Sequence, residues 1–330
     1  RKYAARPSLG KALCDFLIYH NHNPRKAIEL AAHATTLLQY EDWWWKSRLG
    51  KCYYMLNLYR EAEQQLRSSL KNQKMISTYL DLCKVYLRLD QPKHALDVYK
   101  EALEEFPDET DLLLATARTH DMVYEQDLAM IYYRKVLQIN PVCIEAIASL
   151  ASNFFYLDKT EVALKFYQRL VEMGESSAEL WNNLGMCCFH ASQYDMTLSC
   201  LQKALHLAED EVAAEIMYNI GQVGIGIGDL GLAYQSLKVA ISINPKHGEA
   251  YNNLGVLELR KGNPKAAREN FEMSRRLSPE TFEPFFNGAL FAFKVGDFQQ
   301  SYALVKECKS IYENHTDTDE LLQKLEKYLA

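Results

Sequence analysis

A short motif that returns about every 34 residues constrains this chain more than any other feature. Trp181-Asn182-Asn183-Leu184-Gly185 is followed by Met217-Tyr218-Asn219-Ile220-Gly221, by Tyr251-Asn252-Asn253-Leu254-Gly255 and by Phe285-Phe286-Asn287-Gly288-Ala289. The closing small residue traces back through Ala151, Ala117, Cys83 and Gly50, giving steps of 33, 34, 34, 34, 36, 34 and 34 from Gly50 to Ala289. An independent register places a small residue at Ala27, Ala62, Ala95, Ala129, Ala163, Thr197, Ala233, Ala267 and Ser301. A period of this length describes one supersecondary unit that cannot bury its own apolar face and must stack on its neighbours.

Each unit reads as two antiparallel helices. Small residues at the eighth and twentieth places let the helices approach, and large ones near the fourth, eleventh and twenty-fourth fill the space beside them. The fifteenth place carries Asn57, Asp90, Asp158, Ser192, Gly228, Gly262 and Gly296, which suit left-handed or capping conformations; Tyr124 breaks this series. Pro24, Pro92 and Pro264 fall just inside second helices, and Pro107, Pro141, Pro245 and Pro279 end four repeats. With 14 Gly and 9 Pro in 330 residues, the chain lacks the turn residues of an all-β fold.

The spacing W-x2-L-G-x2-Y in first helices, A-x3-F-x2-A in second helices and the terminal prolines resemble the tetratricopeptide repeat (TPR) family over roughly residues 8–315. The resemblance implies an all-α, right-handed superhelical solenoid of about nine helix-turn-helix repeats in a single domain, 1–330. Their expected bounds are 8–42, 43–75, 76–109, 110–143, 144–177, 178–213, 214–247, 248–281 and 282–315, with a closing helix over 316–330. The first repeat departs from the pattern at Lys11 and Asp15, and the step of 36 residues near Glu209-Asp210-Glu211 predicts a longer link between two repeats and a change of pitch.

Charge and composition exclude several functions. A net charge of −6 and a sequence pI near 5.9 provide no basic field for a phosphate backbone, so nucleic acid is not an expected partner. No apolar run reaches the roughly 18 residues of a membrane span. Eight cysteines, at 14, 52, 83, 143, 187, 188, 200 and 308, form no CxxC pair and read as reduced core thiols. Gly226, Gly228 and Gly231 match G-x-G-x-x-G, but they fall in the turn of a repeat rather than between a strand and a helix. His20 with His22, and Cys187, Cys188, His190 and Cys200, lack metal-site spacing. No catalytic arrangement is recognisable, the repeats occupy nearly the whole chain, and no metal or cofactor is expected.

The expected activity is therefore protein binding, at two places. Asn183, Asn219, Asn253 and Asn287 recur at the sixth place of four successive first helices, which in the TPR family line the concave groove. Their amides both donate and accept, so such a ladder can pair with the backbone of an extended peptide. Trp43, Trp44 and Trp45 cannot all face one core, which predicts a surface or seam position for at least one indole and a second, aromatic contact. No matched set of Lys and Arg for a two-carboxylate clamp is found.

Three stretches, Asp42 to Lys46, Gly174 to Gly185 and Asn219 to Gly226, resemble the TPR subunits of the Bardet-Biedl syndrome complex, the BBSome. That resemblance implies a cytoplasmic scaffold at the ciliary basal body, the centrosome region and the cilium. Its partners would be the other Bardet-Biedl proteins, its cargo membrane proteins, and its membrane association indirect, through the complex. It also implies a longer N-terminal region, in keeping with a chain that opens on Arg1. Two other assignments are compatible with the repeats: a scaffold of another assembly such as a cell-cycle ubiquitin ligase, and the TPR arm of a glycosyltransferase.

Overall fold

A computed structural model describes residues 6–329. Among the described residues the secondary structure is helical, with 19 α-helices and no strand. Its internal contacts divide the chain into two compact units, which meet within one helix, unit 1 ending at Asn153 and unit 2 beginning at Phe154.

Unit 1 pairs α1 (Pro7–Tyr19) with α2 (Pro24–Leu37), α3 (Trp43–Met55) with α4 (Tyr59–Asn72), α5 (Ile76–Arg88) with α6 (Pro92–Glu105) and α7 (Thr110–Met122) with α8 (Gln126–Ile139). It also contains most of α9 (Ile144–Tyr156). Unit 2 holds α10 (Thr160–Glu172) and pairs α11 (Ala178–His190) with α12 (Tyr194–Leu207) and α13 (Asp210–Ile227) with α14 (Leu230–Ile243). Then follow α15 (Gly248–Arg260) with α16 (Pro264–Leu277), α17 (Glu283–Val295) with α18 (Phe298–Ile311), and the unpaired α19 (Thr316–Leu329). These are eight of the nine helix pairs the period predicts; of the ninth, expected over 144–177, α9 falls mostly in unit 1 and α10 in unit 2.

The small-residue register explains the pairing. All nine of its members, Ala27 to Ser301, are 0% exposed, and the large residues that follow them, among them Leu66, Tyr99, Leu201, Leu237 and Phe271, are buried as well. At the close approach of α15 and α16 only glycine fits: a Cβ on Gly255 would stand 2.7 Å from the Phe271 ring. A hydrogen bond also recurs, from a second helix to the start of its own first helix. Ser69 Oγ donates to the Trp43 carbonyl at 2.8 Å and Ser274 Oγ to that of Gly248 at 2.7 Å.

The turns behave as predicted. Every fifteenth residue from Asn57 to Gly296 has a positive φ, including Tyr124 at 61°. Pro24, Pro92 and Pro264 open α2, α6 and α16. The expected longer link before Glu215 is corrected. Only Ala208 and Glu209 separate α12 from α13, and the additional residues form an extra turn that lengthens α13 to 18 residues, against 13 in α11, α15 and α17. The acidic run continues as helix because Asp210 and Glu211 occupy its first turn, where unpaired N–H groups favour negative charge.

Candidate functional site

The asparagine ladder lies on first helices of unit 2, and the hydrogen bonds show how these helices stand side by side. Leu184, Ile220 and Leu254 turn inward, and the sixth-place residue before each is rotated about 100° from it, toward the outer edge of the helix, while the fifth-place Asn252 is itself buried. Asn183 is exposed, and Asn219, Asn253 and Asn287 are half-buried. Asn219 Nδ2 donates to Asn182 Oδ1 of the preceding first helix at 2.9 Å, and Asn287 Nδ2 donates to Asn252 Oδ1 at 3.0 Å. Between them Asn253 Nδ2 approaches the Tyr218 hydroxyl at 3.4 Å. Within one helix, Asn182 Nδ2 donates to Asn183 Oδ1 at 3.3 Å.

The four predicted residues are thus brought onto one face: Asn219 and Asn287 are each linked by one N–H, Asn183 by its oxygen, and Asn253 by both, its oxygen accepting from Asn252 Nδ2 at 3.5 Å. Asn219 and Asn287 keep their carbonyl oxygen and a second N–H outside these bonds, which leaves both a donor and an acceptor for a partner. Asn182, Tyr218 and Asn252, the fifth-place acceptors, were missed from sequence. Their spacing of 36 and 34 was visible, but their pairing depends on the distance between neighbouring repeats.

Two cavities open on this face. The larger, about 450 Å³, is lined by Glu179, Asn182, Asn183, Glu211, Val212, Glu215, Ile216 and Asn244. The smaller, about 260 Å³, is lined by Tyr218, Gln222, Glu249, Asn252, Asn253, Thr281, Glu283 and Pro284. Glutamates at the second place of successive repeats, Glu179, Glu215, Glu249 and Glu283, make both cavities acidic. His247 caps α15: its Nδ1 accepts the Ala250 N–H at 3.4 Å, and its ring packs 4.7 Å from Tyr218. Its Nε2 is buried without a hydrogen-bond partner, 3.6 Å from Glu215 Oε1.

In unit 1 a cavity of about 270 Å³ between α5 and α7 has an apolar lining of Leu80, Leu87, Leu114 and Met122, with Lys84 and Arg118 also on its wall. Arg118 is held by both oxygens of Glu145, and Lys84 lies 3.5 Å from Asp81, so these cations are compensated.

The tryptophan cluster is divided by burial. Trp45 is 0% exposed and packs among Cys14, Ile18 and Ala31, so it is removed from the expected docking surface. Trp43 and Trp44 are half-buried. Trp44 forms the seam between α1 and α3, with Lys11 Nζ 5.2 Å and Arg48 Cζ 4.8 Å from its ring centre; these cations are paired with Asp42 and Asp15. A charged and aromatic seam therefore stands where the departures at Lys11 and Asp15 were noted.

The remaining motifs have structural places. Gly228, at φ 83°, ends α13 in the left-handed turn, and Gly226 lies against the ring of Phe189. His20 caps α1 and stacks on Phe16, and His22 occupies a left-handed turn. Cys187, Cys188 and Cys200 are buried, while His190 lies edge-on to Phe155 and Phe189. Burial pushes the Cys14, Cys52 and Cys187 thiols up to about 12. Among the described residues no group of three or more His, Cys, Asp or Glu is arranged to hold a metal ion, and no helix is long and apolar enough to cross a membrane.

Models described as tetratricopeptide repeat match residues 76–119, 149–195, 214–247 and 237–269. Tetratricopeptide repeat protein 8 of Mus musculus is 46% identical over 330 residues, an alignment that takes in 100% of this chain and 64% of that protein. The chain therefore spans somewhat less than two thirds of the length of this relative. "BBSome complex member BBS4" of Bos taurus is 29% identical over 283 residues, 86% of this chain and 54% of that one. Among solved structures, a tetratricopeptide repeat protein from Parabacteroides merdae aligns with a TM-score of 0.64 at 18% identity, covering 75% of this chain and 97% of that one. With its period, its helix pairs and these relatives in agreement, the chain belongs to the tetratricopeptide repeat family.

Proposed function

We propose that this chain is a non-catalytic scaffold of a BBSome-like assembly, and that the asparagine face of unit 2 receives an extended segment of another subunit. The observation that carries the reading is the row of amides from Asn183 to Asn287, fixed by bonds between neighbouring first helices yet retaining free donors and acceptors above two cavities. Amides held in place lose little side-chain entropy on binding, which favours recognition of a main chain. The BBSome assignment is supported by the similarity to BBS4 and to tetratricopeptide repeat protein 8. In this reading the chain works at the ciliary basal body, the centrosome region and the cilium, and meets membranes through its complex. Trp43 and Trp44 form a separate contact.

Affinity purification of tagged wild type and of Asn219→Ala/Asn253→Ala, followed by mass spectrometry, tests both parts. BBSome subunits recovered with wild type and depleted severalfold with the double variant are expected. Equal recovery by both proteins removes the asparagine face, and recovery of ubiquitin-ligase subunits in place of BBSome subunits removes the assembly.

A further inference from the structure

The extra turn of α13 has no counterpart in α11, α15 or α17, and it builds one wall of the larger cavity. It adds Glu211 to the wall already bearing Glu179 and Glu215, and all three side chains are exposed. Among the described residues, no lysine or arginine pairs with any of the three; Glu215 has the His247 ring beside it. Uncompensated carboxylates around one concavity attract a cation. They are not gathered tightly enough to ligate a metal, which points to a cation broad enough to reach separated acceptors.

A guanidinium has that shape: it is planar, permanently charged and carries five N–H donors, and it pairs with carboxylates and amide oxygens alike. Val212 and Ile216 offer the apolar surface along which its aliphatic stem would lie. His247, packed behind Glu215 of the cavity wall, is an independent observation. It is only 6% exposed, and because its Nδ1 accepts the Ala250 N–H, the neutral ring carries its proton on Nε2. That donor has no acceptor in hydrogen-bond range and faces Glu215 Oε1 across 3.6 Å. A buried donor left unpaired is costly, and a carboxylate drawn inward and fixed by a bound cation would complete it.

We propose that the cavity between α11 and the extra turn of α13 takes an arginine side chain from the partner segment that lies on the asparagine face. The proposal rests on the scaffold reading above and specifies the chemistry of its ligand.

The test is an NMR titration of the whole chain with a glycine-serine nonapeptide carrying one central arginine, followed at the side-chain amides of Asn182, Asn183 and Asn244. Twin peptides carry citrulline, which has the same shape without the charge, or lysine. Saturable shifts of these amides are expected with the arginine peptide, with binding at least tenfold weaker for the citrulline peptide, the lysine peptide and the Glu179→Gln/Glu211→Gln variant. Both glutamates are exposed, so this variant should keep the wild-type melting temperature, and Glu269→Gln on α16 should bind as wild type does. Equal binding of the arginine and citrulline peptides, equal binding of the lysine peptide, an unaffected double variant or the lack of saturable shifts would each overturn the proposal. If it falls while Asn219→Ala/Asn253→Ala still loses partners, the arginine site alone is wrong; if that variant also keeps every partner, the face itself is wrong.

Discussion

Tyr124 holds a left-handed backbone at the place where Gly228, Gly262 and Gly296 stand in later repeats, and its side chain is 88% exposed. A β-carbon in this conformation costs on the order of 1 kcal/mol, which asparagine largely escapes by local hydrogen bonding. Tyr124→Asn should therefore stabilise the chain by about 0.5–1 kcal/mol, read from the urea midpoint at unchanged slope. The buried thiols give a pH signature. Burial raises Cys14, Cys52 and Cys187 from 9.0 to about 12, so the unfolded chain releases these protons first as pH rises. Their contribution is complete below pH 9 and is lost between 9 and 12; urea stability should fall across that window, and Cys→Ser at Cys187 should shrink the fall. At this scale the sequence revealed the ladder and the left-handed turns, because both follow the chain's own period. It did not reveal that Trp45 faces inward or that His247 stands behind Glu215, since those depend on which neighbouring helix covers each side chain.

Helix pairing follows from where small residues fall, and the ends of helices follow from local chemistry. The paired helices could be placed from the two registers because glycine and alanine mark the contact on both partners. The extra turn of α13 could not: Glu209-Asp210-Glu211 has the polarity of a link, and only the spacing of Val212, Ile216 and Ile220 hints that the helix has already begun. The closing helix α19 stands where one further helix was expected after the last repeat, over 316–330. It buries Leu321 and Leu325 against α17 and α18 and exposes Glu320, Gln323, Lys324 and Lys327, which gives the terminal repeat a polar outer face. Leu325→Ala removes a fully buried side chain and should cost about 2–3 kcal/mol, measured by urea unfolding, with faster hydrogen exchange concentrated in residues 282–329.

For the molecule as a whole, each unit spends its polar groups differently. In unit 1 the cations beside the cavity of α5 and α7, and those over Trp44, are already paired with carboxylates of the same unit. In unit 2, among the described residues, no lysine or arginine forms an ion pair with the second-place glutamates Glu179, Glu215, Glu249 and Glu283 that stand beside the amides. Repeat arrays gain stability from neighbour to neighbour and leave such faces available to a partner. The most direct measurement is site-specific photocrosslinking in the purified assembly. A benzophenone amino acid at Met186, one turn beyond Asn183 on the first helix, should crosslink to another subunit, while the same group at Gln202, on the exposed side of α12, should not. Crosslinks from Gln202 alone would place the partner on the second helices and contradict the account.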